Sequence, residues 1–380
     1  MNIKIGIITI HNSTNYGACL QSWGLYKYLV DEGYDTEIID LHRPVHKDYI
    51  YSDKYTDYNG KCVTARKWTL KKFLKRYVFK KKIPDYMLKR NLKFDRFNKR
   101  IRLSNPYRSI DELYAAPPLY DIYVTGSDQV WNPTQPFCIE PYFLTFVNNP
   151  NARKISYAAS IGIEKLTDKE ESDFKRWLED YDIISVRESE AKTLLESFVN
   201  KKIYQVADPT FLLGVDYWRS IASSPKIDEP YILCFKLYNG NHLVKYSSEI
   251  GKQANMKVIV LPNGDDIEGC EIVRDAGPEE FLGYIANAEM LISDSFHANV
   301  FGILLGVKNQ WAYIKPDNNR GSRLKTLFDT FGLSEHFISP DLSDSYEKLV
   351  SLKKHPDFIN KAIKKEMTLS RDFLNQSIKK

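Results

Sequence analysis

Imidazole, guanidinium and carboxylate side chains recur in this 380-residue chain where an apolar run gives way to a polar turn. His297 ends the stretch Asp294-Ser-Phe-His297, and apolar Val300, Phe301, Ile303 and Leu304 follow it. That pattern puts His297 in the first turn of a buried helix. An imidazole titrates near neutral pH, so there it can take a proton from a hydroxyl or give one. A histidine at a helix start can also simply cap or pack. Arg187, in Val186-Arg-Glu-Ser189, carries a planar fork that binds phosphate or carboxylate in bidentate fashion. Its plainer use is an ion pair with Glu188 or Glu190. Arg323 lies just inside a helix start, where a cation opposes the helix dipole and so invites another reason for its presence. Asn15-Tyr-Gly-Ala18 and Gly126-Ser-Asp-Gln-Val-Trp-Asn-Pro133 fill two more such turns. Taken singly, Gly and Ser there read as turn and cap residues.

The elements that must position these residues alternate. Ile3–Ile10, Glu37–Leu41, Tyr120–Thr125, Lys154–Ala159, Asp182–Val186 and Ile203–Val206 read as strands. Apolar runs without alternation belong to parallel sheets buried on both faces. A helix after the first strand carries Cys19, Trp23, Tyr26 and Val30 on one stripe, and helices near 168–180 and 188–200 separate later strands. Polar, Pro-containing 223–230 reads as a linker. A second series follows, with strands Tyr231–Phe235, Lys257–Leu261, Met290–Ser293 and Trp311–Ile314 and helices between them. Helices at 322–332 and 344–378 close it. The expectation is an α/β protein with two doubly wound sheets facing a cleft: 1–222, 223–340, and C-terminal helices in 341–380 packing back on the first unit.

Composition narrows the function classes. Hydrophobic residues make up 43% and charged residues 27%, which excludes a disordered or collagen-like chain. The five cysteines are scattered without a C-x-x-C pair, as expected of a reducing cytoplasm. No signal peptide and no membrane span is expected. The dinucleotide G-x-G-x-x-G, the P-loop, H-E-x-x-H and the G-x-S-x-G elbow are all missing. The net charge of +5 is unevenly placed: residues 61–102 hold 17 Lys and Arg against 2 acids, a local +15 that leaves the rest at −10. Leu70, Phe73, Leu74, Tyr77 and Val78 form an apolar helical stripe within it. That stripe can rest on an anionic membrane surface or pack on the first unit. Nucleic acid is not expected, since no recognition fold accompanies the charge.

Asn15-Tyr-Gly-Ala18, Gly126–Pro133, Ser156-Tyr-Ala-Ala-Ser-Ile-Gly162, Ile184-Ser-Val-Arg-Glu188, Asp208-Pro-Thr-Phe211 and Ser293-Asp-Ser-Phe-His297 together resemble the polysaccharide pyruvyl transferases. The six keep that family's order over about residues 1–335; Ala298 departs from it, many relatives having Gly after the His. The resemblance implies a glycosyltransferase-B-like fold of two Rossmann-like domains. It implies an enzyme moving pyruvate from phosphoenolpyruvate, its co-substrate, onto two hydroxyls of one sugar in a bacterial surface polysaccharide precursor (capsule or exopolysaccharide) as a cyclic ketal. No other cofactor and no metal is expected, and the setting is cytoplasmic, peripheral at the membrane if the acceptor is lipid-linked. On this reading His297 and Asp128 are catalytic, His297 as acid or base and Asp128 as a base for a hydroxyl. Arg187, Arg323, Ser295, Arg320 and Lys315 bind the donor. Asn15, Tyr16, Ser127, Gln129 and Trp131 line the acceptor side in the first domain, although Trp131 suits a core as well as a sugar face. Asp294 and Ser295 would cap the helix, and Asp208 would form a turn. The rivals are a nucleotide-sugar glycosyltransferase of the same fold and a non-catalytic sugar- or membrane-binding protein.

Overall fold

In the computed structural model the described residues are 3–43, 48, 50, 83–135, 140–262, 266–316 and 321–379. The apolar stripe at 70–78 lies outside them, as does Arg320. The first sheet has strands β1 (Lys4–Ile8), β2 (Asp35–Ile38), β3 (Ile122–Thr125) and β4 (Arg153–Ser156) in the order β2-β1-β3-β4, all parallel. Single bridges Ile155↔Ile183 and Ala159↔Val186 extend it to the pair β5 (Ile184–Val186) and β6 (Ile203–Gln205). The second sheet comprises β7 (Tyr231–Phe235), β8 (Lys257–Leu261), β9 (Cys270–Ile272), β10 (Met290–Ser293) and β11 (Asn309–Ala312), ordered β11-β10-β7-β8-β9 and again parallel. The strand order reverses between β1 and β3 and between β7 and β10. In open α/β sheets those reversals are where ligands gather beyond the carboxyl ends.

Helix α1 (Tyr16–Asp31) leaves β1 with Asn15 as its cap, the Asn15 side chain accepting from the Ala18 amide at 3.2 Å. The single stripe read from sequence understates its burial: Tyr16 to Tyr26 are all buried, whereas Val30 is exposed. The reason is that α1 packs between the first sheet and two helices of the second layer, Pro278–Ala286 and Phe296–Leu304. Tyr16 stacks on Phe281 at 4.6 Å, meets Phe235 edge-on and donates its hydroxyl to the Ala276 carbonyl at 2.7 Å. One apolar cluster therefore runs from Ile5 and Trp23 of the first sheet's layer to Phe281 and Phe301 of the second.

Helix α2 (Asp85–Asn98) strengthens that junction through ion pairs Lys93–Glu280 (2.7 Å) and, just past its end, Arg100–Glu279. Helices α3 (Ile110–Ala115), α4 (Asp168–Leu178), α5 (Ser189–Glu196), α6 (Thr210–Leu213) and α7 (Val215–Ile221) complete the first layer. The second carries α8 (His242–Ala254), α9 (Pro278–Ala286), α10 (Phe296–Leu304) and α11 (Ser322–Thr330).

The closing helix read as 344–378 is two, α12 (Tyr346–Ser351) and α13 (Pro356–Lys379). Pro356 cannot donate into a preceding turn and disfavours helix before it, but suits a first helical position. Helix α13 runs back to the first layer, where Ser370 accepts from the Ala207 amide at 3.0 Å and Asn375 donates to the Tyr28 hydroxyl at 3.1 Å.

Candidate functional site

Strand β10 ends at Ser293, whose hydroxyl donates to Phe235 O at 2.7 Å and fixes the turn into α10. Ser295 caps the helix by accepting from the Ala298 amide. Asp294 does not cap: its carboxylate accepts from the Leu237 and Tyr238 amides at 2.6 and 3.2 Å and so holds the loop after β7. Burial pushes its pKa up to about 6 despite those bonds. The turn delivers His297, a residue with little exposure, to the N-terminal end of α1. A Cβ on Gly17 would lie 2.1 Å from His297 Nδ1, so the imidazole fits only because residue 17 has none.

On its other side His297 meets a buried charge cluster. Asp208 is fully buried; its Oδ1 accepts from the Thr210 amide and hydroxyl at 3.1 and 2.8 Å, the turn read from sequence. Its Oδ2 lies 2.6 Å from Arg187 Nη1 and 3.3 Å from His297 Nε2, the latter at ion-pair range without hydrogen-bond alignment. Burial alone would raise the Asp208 pKa, yet His297 and Arg187 hold it well below the usual carboxylate range. Arg187 also pairs with Glu188 at 3.3 Å, stands 3.9 Å from Asp128 and rests on the Phe296 ring at 4.2 Å. Burial disfavours its charge, but Glu188, Asp208 and Asp128 raise its pKa above the ordinary value.

Arg323, also buried, has the opposite setting. With the Gln129 amide turned to present its oxygen, Arg323 donates to it from Nη2 and Nη1 at 2.7 and 2.9 Å. Among the described residues no carboxylate lies within ion-pair distance of it. Burial and the like charge of Arg187 lower its pKa. It is a buried cation held by a neutral partner.

A cavity of about 240 Å³ opens between the two layers here. Asp128, Gln129 and Asn15 line it from the first domain, with Ser295, His297 and Arg323 opposite. Asp128 takes a left-handed backbone (φ 65°), which Asp tolerates better than most side chains.

Other residues read as site members are elsewhere. Trp131 is fully buried, stacked on Phe143 at 5.3 Å and donating to Tyr142 O at 2.9 Å, so it is core and presents no face to a sugar. Tyr16 is sealed in the interdomain aromatic cluster, and Ser127 is buried with its hydroxyl on Ala158 O. Lys315 lines a separate recess of about 30 Å³. Arg187 lines a chamber of about 230 Å³ behind Phe296, not the cleft cavity. The ion pair with Glu188 is the plainer use read for Arg187 from the sequence, although both residues are buried; nothing in the spacing revealed that Asp208 would converge on the same guanidinium.

The sequence model of the polysaccharide pyruvyl transferase family matches residues 15–309. No curated protein matches the sequence. Solved structures that share the fold include a putative UDP-N-acetylglucosamine 2-epimerase from Listeria monocytogenes, at 11% identity and TM-score 0.50 over 97% of this chain and 91% of that one. A calicheamicin glycosyltransferase aligns at 11% identity and TM-score 0.50 over 100% and 99% of the two chains. An α-glucosyltransferase bound to UDP and DNA does so at 10% identity and TM-score 0.51, over 100% of both. At such identities the likeness establishes the architecture, glycosyltransferase-B with two Rossmann-like domains. The family match spans most of the chain and takes in His297, Arg187 and the cleft-lining Asn15, Asp128 and Gln129, and on it the protein belongs to the polysaccharide pyruvyl transferase family.

Proposed function

We propose that this transferase takes pyruvate from phosphoenolpyruvate and sets it as a cyclic ketal across two hydroxyls of one sugar in a surface polysaccharide precursor. The observation that carries the reading is Arg323: a buried guanidinium that, among the described residues, has no carboxylate at ion-pair distance, lining with His297 a cavity of about 240 Å³. An anionic donor supplies the counter-charge that Arg323 lacks. The first turn of α10 offers amides to its phosphate. The size favours a small donor, since pockets for drug-sized ligands run to about 300–1,000 Å³.

The chemistry needs one proton delivered and two removed. Protonation of C3 of the enolpyruvyl group accompanies attack of the first hydroxyl on C2, with loss of that hydroxyl's proton. The C2–O bond to phosphate then breaks, the second hydroxyl bonds to C2, and its proton leaves. His297 is the acid for C3 and regains its proton from a hydroxyl. Asp128, across the cavity, is the base for the other hydroxyl. Asp208 steadies an imidazolium form of His297, and Arg187 keeps Asp208 ionised. The enzyme works in the cytoplasm, with residues 61–102 resting on an anionic leaflet that carries a lipid-linked acceptor.

The test is mass spectrometry of candidate saccharides incubated with enzyme and phosphoenolpyruvate, with phosphate release followed in parallel. The expected result is gain of one pyruvyl unit. His297→Ala lowers turnover by about 10²–10⁴-fold. Arg323→Gln raises KM for phosphoenolpyruvate. Sugar transfer from a nucleotide sugar, with no phosphate released from phosphoenolpyruvate, sinks the reading.

A further inference from the structure

Behind the turn that carries His297 runs a buried polar chain that the proposed chemistry does not use. Helix α10 is apolar along most of its length, yet Asn299 lies fully buried within it, between Ala298 and Val300. Asparagine is a poor former of helix interiors, and an amide out of water is costly unless its polar atoms find partners. Here they do. Asn299 Nδ2 donates to Ser293 O at 3.3 Å and to Ser295 O at 2.9 Å, the two carbonyls that bracket the turn from β10 into α10. Asn299 Oδ1 accepts from Gln310 Nε2 of β11 at 3.0 Å, and the same nitrogen donates to Asn299 O at 2.8 Å. Gln310, also fully buried, accepts through Oε1 from Lys354 Nζ at 3.2 Å. Lys354 belongs to the connection between α12 and α13 and donates as well to Val307 O at 2.8 Å. Gly302 leaves room for the chain, since a Cβ there would stand 2.8 Å from Gln310 Oε1.

We infer that Asn299 and Gln310 are positioning residues for His297, with Lys354 as their outer clasp. Strand β10 ends at Ser293 and the imidazole follows four residues later, so the angle at which α10 leaves the sheet decides where the ring stands between Gly17 and Asp208. Apolar packing is non-directional and sets such an angle loosely. Hydrogen bonds from one side chain to both carbonyls of the turn set it in direction. The amides also have a single satisfied orientation. Turned about, Gln310 would face Asn299 O and Oδ1 with its oxygen and the Lys354 ammonium with its NH2 group. The inference rests on the pyruvyl-transfer reading for what His297 does, but not for where its ring is held.

The test separates position from packing in the full-length protein. Asn299→Leu removes the link between the turn and β11. Adding Gln310→Met replaces both partners by apolar groups of similar shape, a change that can be nearly neutral for stability. Each protein is measured for thermal midpoint, for kcat and KM in phosphate release from phosphoenolpyruvate, and for the His297 ring signals in carbon-edited NMR spectra, assigned through His297→Ala. The inference expects the double variant to regain midpoint lost by Asn299→Leu while its kcat stays at least ~10-fold below wild type, with KM within about twofold. The ring signals are displaced in both. Lys354→Met, at a partly exposed position outside the core, displaces the same signals in a protein with the wild-type midpoint. Recovery of kcat together with midpoint, or ring signals that stay at their wild-type positions, overturns the inference. If the core variants do not fold, the signals of Lys354→Met decide. If wild type releases no phosphate from phosphoenolpyruvate, the pyruvyl reading falls, and displaced or unmoved ring signals still uphold or overturn the positioning.

Discussion

At the scale of single residues, the site is organised by which charges have partners. Arg187 is surrounded by Asp208, Glu188 and Asp128, whereas Arg323 has the neutral Gln129 amide as its hydrogen-bond partner among the described residues. Two arginines that look alike in sequence therefore divide the work. One completes a buried network and holds Asp208 ionised behind His297, and the other is the cation proposed to meet the anionic donor. Asp294 makes a separate prediction. Its folded pKa of about 6 lies above the value near 4 of an unfolded chain. Between those values the unfolded state ionises first, so wild-type stability falls as pH rises from about 4 to 6, by about 3 kcal/mol. Urea unfolding of wild type and Asp294→Asn across that range should show the variant gaining relative stability with pH. A difference that stays flat means an ordinary carboxyl.

At the scale of elements, the decisive contact joins α1 and α10. Their first turns come from different domains, and the Gly17 site leaves the imidazole of His297 its place. Gly17→Ala suits a helix by propensity, but its methyl must displace the ring. The expected outcome is an α1 that still forms, a stability loss of about 1–3 kcal/mol from overpacking, and turnover reduced by at least ~10²-fold through misplacement of His297. Circular dichroism with phosphate release checks both, and unchanged turnover would show that His297 does not need that position. The β-strands at 231–235, 257–261 and 290–293 were legible because their apolar runs need no partner to identify them. The three-residue β9 was not, since Cys270-Glu-Ile272 is too short for a periodicity.

For the whole molecule, the charge asymmetry acquires a location. Several cations of 61–102 are committed to the body: Lys93 and Arg100 pair with Glu280 and Glu279, Arg102 with Asp35, and Arg90 donates to Thr14 O. The described part of the segment, α2, leaves Tyr86, Met87, Leu88 and Leu92 exposed beside Lys89 and Lys99. Among the described residues no helix is long and apolar enough to cross a membrane. Surface association through α2 and the basic residues before it predicts flotation with phosphatidylglycerol liposomes at about 0.01 M ionic strength, where charges act over about 30 Å. It predicts release at about 1 M, where they act over about 3 Å. Flotation with neutral phosphatidylcholine alone, or none at low salt, counts against it.

By itself the sequence determined the α/β alternation, the order of the two sheets along the chain, and the loops that carry His297, Asp128 and Arg323. Those follow from local periodicity and from turn chemistry, which need only neighbours in the chain. It left Tyr16 and Ser127 looking like wall residues and Trp131 open between a sugar face and the core, because an aromatic or hydroxyl in a turn reads the same whether it faces a cleft or a core. Only tertiary structure decided that they are buried, that α1 is enclosed between the first sheet and helices of the second layer, and that Asp208 lies beneath His297. The physical reason is distance along the chain. Asp208 and His297 are 89 residues apart and Gly17 and His297 are 280 apart, so their contacts exist only once the two layers close on a shared core.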